Sequence, residues 1–276
     1  MMNLQELEVA CPAAFSTTAA PHVSDRYTHV RTADIVERMM DEGFTIRTAS
    51  QQKTQKKHQG RKEAFQKHRI SMQMPTDNGT TRALGQIFPT VDLINSGDWS
   101  STFTMAVGLF RLVCTNGMVA PFGAANESIK VRHDKVDEDT FSAIQQAMAK
   151  APDLFQFAED AQGFNMSDTE IERFGRAAAR IRFGLNPEDT VDASMTKGLL
   201  AARRGMDANA DLWSVFNRVQ ENGTRGGFKV PDVNGRLRSV RERRNIVADV
   251  TWNQELWSLT QSVLHGNPAG PSWPLN

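Results

Sequence analysis

The chain of 276 residues has little of what several protein classes require. It carries two cysteines, Cys11 and Cys114, too few for a disulfide framework, which points to a reducing compartment. Its longest apolar run, residues 103–114, is interrupted by Gly108 and Arg111. A bilayer span needs about 18 or more such residues, so no membrane role is expected. The start, MMNLQELEVACPAAF, lacks the basic and continuous apolar stretches of a secretory signal, and a cytoplasmic protein is the reading. Net charge is absent too: 32 Lys+Arg balance 32 Asp+Glu. Attraction to a polyanion must therefore come from local clustering.

Ligand spacing is also missing. The six histidines (22, 29, 58, 68, 133 and 265) form no HxxxH pair and the cysteines no CxxC, so neither a metal nor another cofactor is expected. The segment GTRGGFK has glycines and cations but follows a helical pattern rather than a strand, unlike a phosphate loop. Paired carboxylates such as Glu159–Asp160 and Glu170–Glu172 fall on solvent-facing helix positions. No nucleophile, base or acid pair has usable spacing, and the sequence reads as a non-enzymatic protein, with an unrecognised enzyme as the third alternative.

What is present is a large apolar complement, 39% of residues, enough for one large or two modest cores. Residues 1–22, with Pro12 and Pro21, read as a loosely ordered arm. A short strand over 27–30 leads to Thr32 as N-cap of a helix with Ile35, Val36, Met39 and Met40 on one stripe and Gly43 at its end. Alternation at Phe44, Ile46 and Thr48, and again at Ile70, Met72 and Met74, predicts a long β-hairpin. GQIFPTVDLINS reads as another strand. Phe103, Val107 and Phe110, spaced i, i+4, i+7, then predict a deeply buried central helix opened by Asp98, Ser100 or Ser101. On that reading Cys114 is a small buried residue in the last turn, where the helix dipole disfavours a thiolate. Asn116-Gly117 then caps the helix and sets Met118 against Val113. An I′ hairpin turn is the alternative for Asn-Gly.

The second half reads as largely helical. Phe141, Ile144 and Met148 share a face. Ser167 and Glu170 form a capping box before Ile171, Phe174, Ala178 and Ile181. Leu212, Val215, Phe216 and Val219 repeat the pattern up to Gly223, and a final long helix opens near Arg238, Arg241 and Arg244. Residues 266–276 form an extended proline-punctuated tail. The expected fold is α+β: an antiparallel sheet with a long basic β-hairpin, packed on the buried central helix, then a mainly helical half. The expected parts are 1–22, 23–133, 134–265 and 266–276.

The basic hairpin, 51–69, is the most charged place. Lys53, Lys56, Lys57, Arg61, Lys62, Lys67 and Arg69 face Glu63 alone, a local charge of about +6. Such a loop can neutralise phosphates and release counterions, and His58, Phe65 and His68 could stack on unpaired bases. The alternative is a solvated charge run. A second set, Arg225, Lys229, Arg236, Arg238, Arg241, Arg243 and Arg244, sits unfavourably near a helix start and implies an acidic partner. Trp213, Trp252 and Trp257 lie within helical patterns and read as core or interface residues.

Three segments carry a family resemblance. Ser24, Tyr27 and Val30 match an S-x-x-Y-x-x-V entry motif. Cys114, Thr115, Asn116, Gly117 and Met118 match a central C-T-N-G-M/L. Trp213, Phe216 and Asn217 match a late aromatic-rich helix. Over residues 22–225 the chain resembles the phage/plasmid-like family called domain of unknown function 932. The resemblance implies a home on phages, plasmids or integrative elements, often near recombination genes, and assigns no activity or catalytic residue. Taken with the basic segments, it leads to the expectation of an accessory protein that binds single-stranded or other nucleic acid, as in annealing during recombination. The rival is a protein-interaction module, for example one countering host defence, or a homo-oligomer built on the acidic helices and tryptophans.

Overall fold

In the computed structural model the described residues are 2–24, 28–52, 63–75, 87–101, 103–111, 117–119, 129–130, 151–232 and 234–266, with 142, 144–146 and 149. The chain divides into two units, Met1–Leu154 and Phe155–Asn276.

The first unit is built on an antiparallel sheet in the order β1-β2-β3-β4-β5: β1 (Thr45–Gln51), β2 (His68–Gln73), β3 (Ile87–Asn95), β4 (Thr104–Arg111) and β5 (Gly117–Val119). β6 (Ile129–Lys130) pairs with β4 beyond β5. The β1–β2 hairpin expected from alternation is present, with Gln51 opposite His68 and a register shift between Ile46 and Thr48. Because opposed residues share a face, Ile46, Ile70, Met72, Val91, Leu93, Met105, Val107 and Leu109 line one side, all at 2% exposure or less.

The central helix is not there. Residues 104–111 form β4, paired with β3 through eight consecutive positions from Ile94–Thr104 to Ile87–Arg111. The spacing misled because both faces of this strand are buried, Ala106 at 1% as well as Val107 at 2%, so apolar residues fall at helical intervals by coincidence. Gly108, costly inside a helix, sits opposite Thr90 in the sheet. Gly117 is therefore no helix cap. It opens β5 opposite Phe110, and Met118 pairs with Leu109; Val113, expected to meet Met118, lies outside the described residues. Cys114 and Asn116, and the burial expected of Cys114, lie outside the described residues.

The N-terminal segment is not a loose arm. Helix α1 (Leu4–Ala10), capped by Asn3 and Glu6, and a 3-10 turn at Pro12–Phe15 bury Leu7, Cys11, Ala13 and Ala14. Met2 bridges to Ile46, and Gln51 Oε1 accepts from Ala13 N at 2.9 Å. Helix α2 (Thr32–Asp41) carries the predicted stripe, with Ile35, Val36 and Met39 buried and Gly43 beyond its end at φ +89°. Arg31 is the N-cap, however, and Thr32 is the first helical residue. Residues 28–30 are not a strand.

The second unit is helical: α3 (Ala151–Gly163), whose first four residues precede the boundary, α4 (Asp168–Phe183), α5 (Ala193–Leu200), α6 (Leu212–Arg225) and α7 (Ile246–Leu264), with a two-stranded ribbon of β7 (Lys229–Pro231) and β8 (Leu237–Ser239). The capping box on α4 is as expected: Glu170 Oε2 accepts from Ser167 N at 2.7 Å, and Ser167 Oγ from Glu170 N at 3.3 Å. Asp192, Asp211 and Asn245 cap α5, α6 and α7. Phe174, Leu199, Val215, Phe216, Trp252, Leu256 and Trp257 form the core. Two expectations fail. Gly223 does not end α6 but lies inside it against Trp252, where a Cβ would come within 2.2 Å of Cζ2. The last helix starts at Ile246, so Arg238 lies on β8 and Arg241 and Arg244 on the connection before α7. The 266–276 tail, apart from Gly266, lies outside the described residues, as do Phe141 and Met148; Ile144 is buried.

Candidate nucleic-acid interface

The cations of the first hairpin divide into two groups. Lys53, Lys56, Lys57, Arg61 and Lys62 lie outside the described residues; the ends of their segment, Gln52 and Glu63, are placed at the mouth of the hairpin, where Gln52 N donates to Lys67 O at 2.8 Å. Arg69 belongs to the sheet. Its guanidinium, 13% exposed, meets the Asp92 carboxylate, fully buried, at 2.7 Å. Ser71 and Thr90 flank this pair on the face opposite the apolar one, because Ser71 stands opposite Asp92 and Thr90 two residues along. His68, expected to stack on bases, is 1% exposed and held inside. Asn95 Nδ2 donates to Thr32 Oγ1 at 3.0 Å, Thr32 Oγ1 lies 2.9 Å from His68 Nε2, and His68 Nδ1 is 3.0 Å from Gln66 O. That chain suits a neutral ring protonated on Nδ1. Burial pushes its pKa down to about 4, beyond what the Gln66 carbonyl restores. Phe65 is buried as well.

Lys67 faces outward. Its Nζ donates to Ser100 O at 3.0 Å, which ties the root of the basic segment to the β3–β4 connection. That connection carries a residue the sequence reading passed over. Trp99 is 67% exposed and has φ +61°, a left-handed conformation that non-glycine residues seldom adopt. The turn is held by Asp98, whose Oδ1 accepts from Ser100 N at 3.0 Å, and by Ser96 and Ser100, whose hydroxyl oxygens are 3.3 Å apart. The only sequence signal was Gly-Asp-Trp-Ser-Ser itself, a turn-forming run enclosing an aromatic. By contrast Trp213, Trp252 and Trp257 are core residues, at 4%, 1% and 2% exposure.

The second cationic set is distributed differently. Arg225 bonds to Glu221 at 3.2 Å, and the same buried carboxylate receives Arg204 at 2.9 Å. Arg243 donates to Ala248 O and Arg182 O, and Arg182 to Gly223 O and Arg241 O. Of these carbonyls, Arg182 O and Gly223 O lie in the last turns of α4 and α6, where the dipole favours cations; Ala248 O lies in the first turn of α7 and Arg241 O on the connection before it. Desolvation, and then the neighbouring Arg243 charge, lower the Arg182 pKa to about 10. Lys229, Arg236, Arg238, Arg241 and Arg244 are exposed.

Free Cys11 is buried, which pushes its thiol up to about 12 and removes it as a nucleophile at neutral pH. Among the described residues no group of three or more His, Cys, Asp or Glu could hold a metal ion, and no helix is long and apolar enough to cross a membrane.

An antiparallel-sheet unit, next in sequence to a helical unit with a basic ribbon, defines an α+β protein. The chain belongs to the family described as domain of unknown function DUF932, whose model matches residues 20–257. It is similar to the UPF0380 protein YafZ of Escherichia coli (strain K12), 28% identical over 267 residues, covering 95% of this chain and 92% of that protein. The UPF0380 protein YfjQ of the same organism is 26% identical over the same length and shares. No solved structure matches. Of the family-motif residues, Val30 is buried, Gly117 and Met118 lie on β5, and Trp213 and Phe216 stack at 5.6 Å with Asn217 bonded to Trp213 O. Tyr27, Cys114, Thr115 and Asn116 lie outside the described residues.

Proposed function

We propose that this chain is a cytoplasmic, non-enzymatic accessory protein of a mobile genetic element that binds single-stranded nucleic acid, as in annealing during recombination. The observation that carries the reading is Trp99, exposed on a left-handed turn and tied through Lys67 and Ser100 to the root of the segment bearing Lys53, Lys56, Lys57, Arg61 and Lys62. Cations that follow a phosphate backbone beside an aromatic on which bases stack are the two parts of a sequence-tolerant single-strand site. Arg69 is committed to Asp92 and has no part in it.

The test is fluorescence anisotropy with a labelled oligonucleotide across a salt series. Binding should weaken steeply with salt, and replacing Lys56, Lys57, Arg61 and Lys62 by Ala should reduce the log–log slope by about 0.7 for each lost phosphate contact. Tryptophan emission should be quenched on binding in the parent and unquenched in Trp99→Phe. Absence of binding at low salt overturns the reading.

A further inference from the structure

The β7–β8 ribbon carries its own chemistry, and we infer that it is a contact for duplex nucleic acid, distinct from the single-strand site; the inference rests on the reading of the chain as a nucleic-acid binder. The ribbon has a fixed base and an open tip. At the base, Gly227 N donates to Val240 O and Val240 N to Phe228 O, both at 2.8 Å, while Arg243 N reaches Thr224 O. Gly226, at φ +64°, lies so close to the returning strand that a Cβ would come within 2.3 Å of Val240 O. The Phe228 ring covers Gly198 of α5, where a Cβ would be 2.1 Å away, and meets Phe183 edge-on at 6.4 Å. The ribbon therefore leaves the helical unit in one direction.

At the tip, Asp232 organises the turn: its Oδ1 accepts from Asn234 N at 2.9 Å and Arg236 N at 3.0 Å, and Gly235 takes φ +73°. Lys229 and all three residues of β8 are exposed, Leu237 at 67%. Lys229, Arg236, Arg238 and Arg241 stand against Asp232 as the one acid between 229 and 241, and Asp232 pairs with Arg238 at 2.6 Å. The ribbon carries a net positive charge spread from its base, at Lys229 and Arg241, to its turn, at Arg236, and a polyanion complements it.

Two features select a duplex over an unpaired strand. A two-stranded ribbon has the width that the major groove admits, about 12 Å. Residues 229–241, KVPDVNGRLRSVR, contain no aromatic side chain, so the ribbon offers no platform for unpaired bases, unlike the Trp99 turn. Leu237 instead presents an aliphatic group of the kind that contacts a thymine methyl.

The experiment compares anisotropy titrations of a 20-base-pair duplex and a 20-nucleotide single strand against the full chain, Lys229→Ala/Arg236→Ala, and the charge-retaining Lys229→Arg/Arg236→Lys. Arg238 is left in place so that the Asp232 turn is kept, and circular dichroism confirms folding of each variant. Duplex affinity should fall about tenfold or more in the alanine variant, with the salt slope reduced by about 0.9 per contact, while single-strand affinity is unchanged and the charge-retaining variant is restored. Undiminished duplex binding by the alanine variant overturns the inference. So does an equal loss for both nucleic acids. Single-strand binding without duplex binding overturns it while leaving the proposed function standing, and failure to bind either overturns both.

Discussion

The two units place tryptophan in opposite ways, and the helical unit adds a second kind of partner for arginine. In the sheet unit, Arg69 is drawn inside to a fully buried Asp92, and a tryptophan is put outside on the Trp99 turn. In the helical unit, Trp213, Trp252 and Trp257 fill the core, Arg204 and Arg225 share the buried Glu221 carboxylate, and Arg243 and Arg182 bond to Arg182 O and Gly223 O in the last turns of α4 and α6, while other cations stay outside on the ribbon. The difference follows from backbone chemistry. A sheet pairs its carbonyls internally along the ladder, so a cation placed within it needs a side-chain acceptor; a helix leaves its last carbonyls unpaired, so a cation placed there has acceptors already. A cluster of arginines in sequence therefore means different things in the two contexts.

This contrast can be broken at the sheet first. Asp92→Ala removes the fully buried carboxylate that meets the Arg69 guanidinium, and urea unfolding should show a loss of about 3–5 kcal/mol, the largest effect expected. His68 should come next, through pH. Its folded pKa of about 4 lies below the unfolded value of 6.5, so the unfolded state binds the extra proton between those limits. Stability should therefore rise with pH across the window from about 4 to 6.5, fully present above it and lost below, and His68→Gln should flatten the change in unfolding midpoints measured at pH 4.5 and 7.

In the helical unit, Gly223→Ala drives a methyl into Trp252 and should cost about 1–3 kcal/mol, read as a lowered Tm with a shifted tryptophan emission. Ser167→Ala removes one half of the α4 capping box and should cost about 1 kcal/mol in the same melt. The smallest effect sharpens the comparison: Trp99→Phe should leave stability within about 0.5 kcal/mol while abolishing the fluorescence response to oligonucleotide, since this tryptophan is 67% exposed.

Legibility followed the same division. The α2 stripe, the β1–β2 alternation and the Ser167–Glu170 box were readable because each is a local pattern with one buried face or one cap. β4 was not, since burial on both faces erases the period that separates strand from helix, and its pairing with β3, β5 and β6 leaves no mark in the local pattern. Within the candidate interface, the charge of 51–69 was plain, but that Arg69 and His68 turn inward and Lys67 outward depends on strand register and on what packs over each position. Trp99 went unread because a lone tryptophan in a turn carries no periodicity.

By itself, then, the sequence determined the α+β class, the basic β1–β2 connection, the helical second half and membership of a family, all of which rest on composition, short-range pattern or motif. Only the tertiary structure decided that the N-terminal segment packs on the sheet, that residues 104–111 pair as a strand, and which cations are bound to carboxylates, which to helix carbonyls and which stand in solvent. The reason is one of range: each of those outcomes is set by partners distant in sequence, Met2 with Ile46, Arg69 with Asp92 and Arg182 with Gly223, and a one-dimensional pattern carries no record of them.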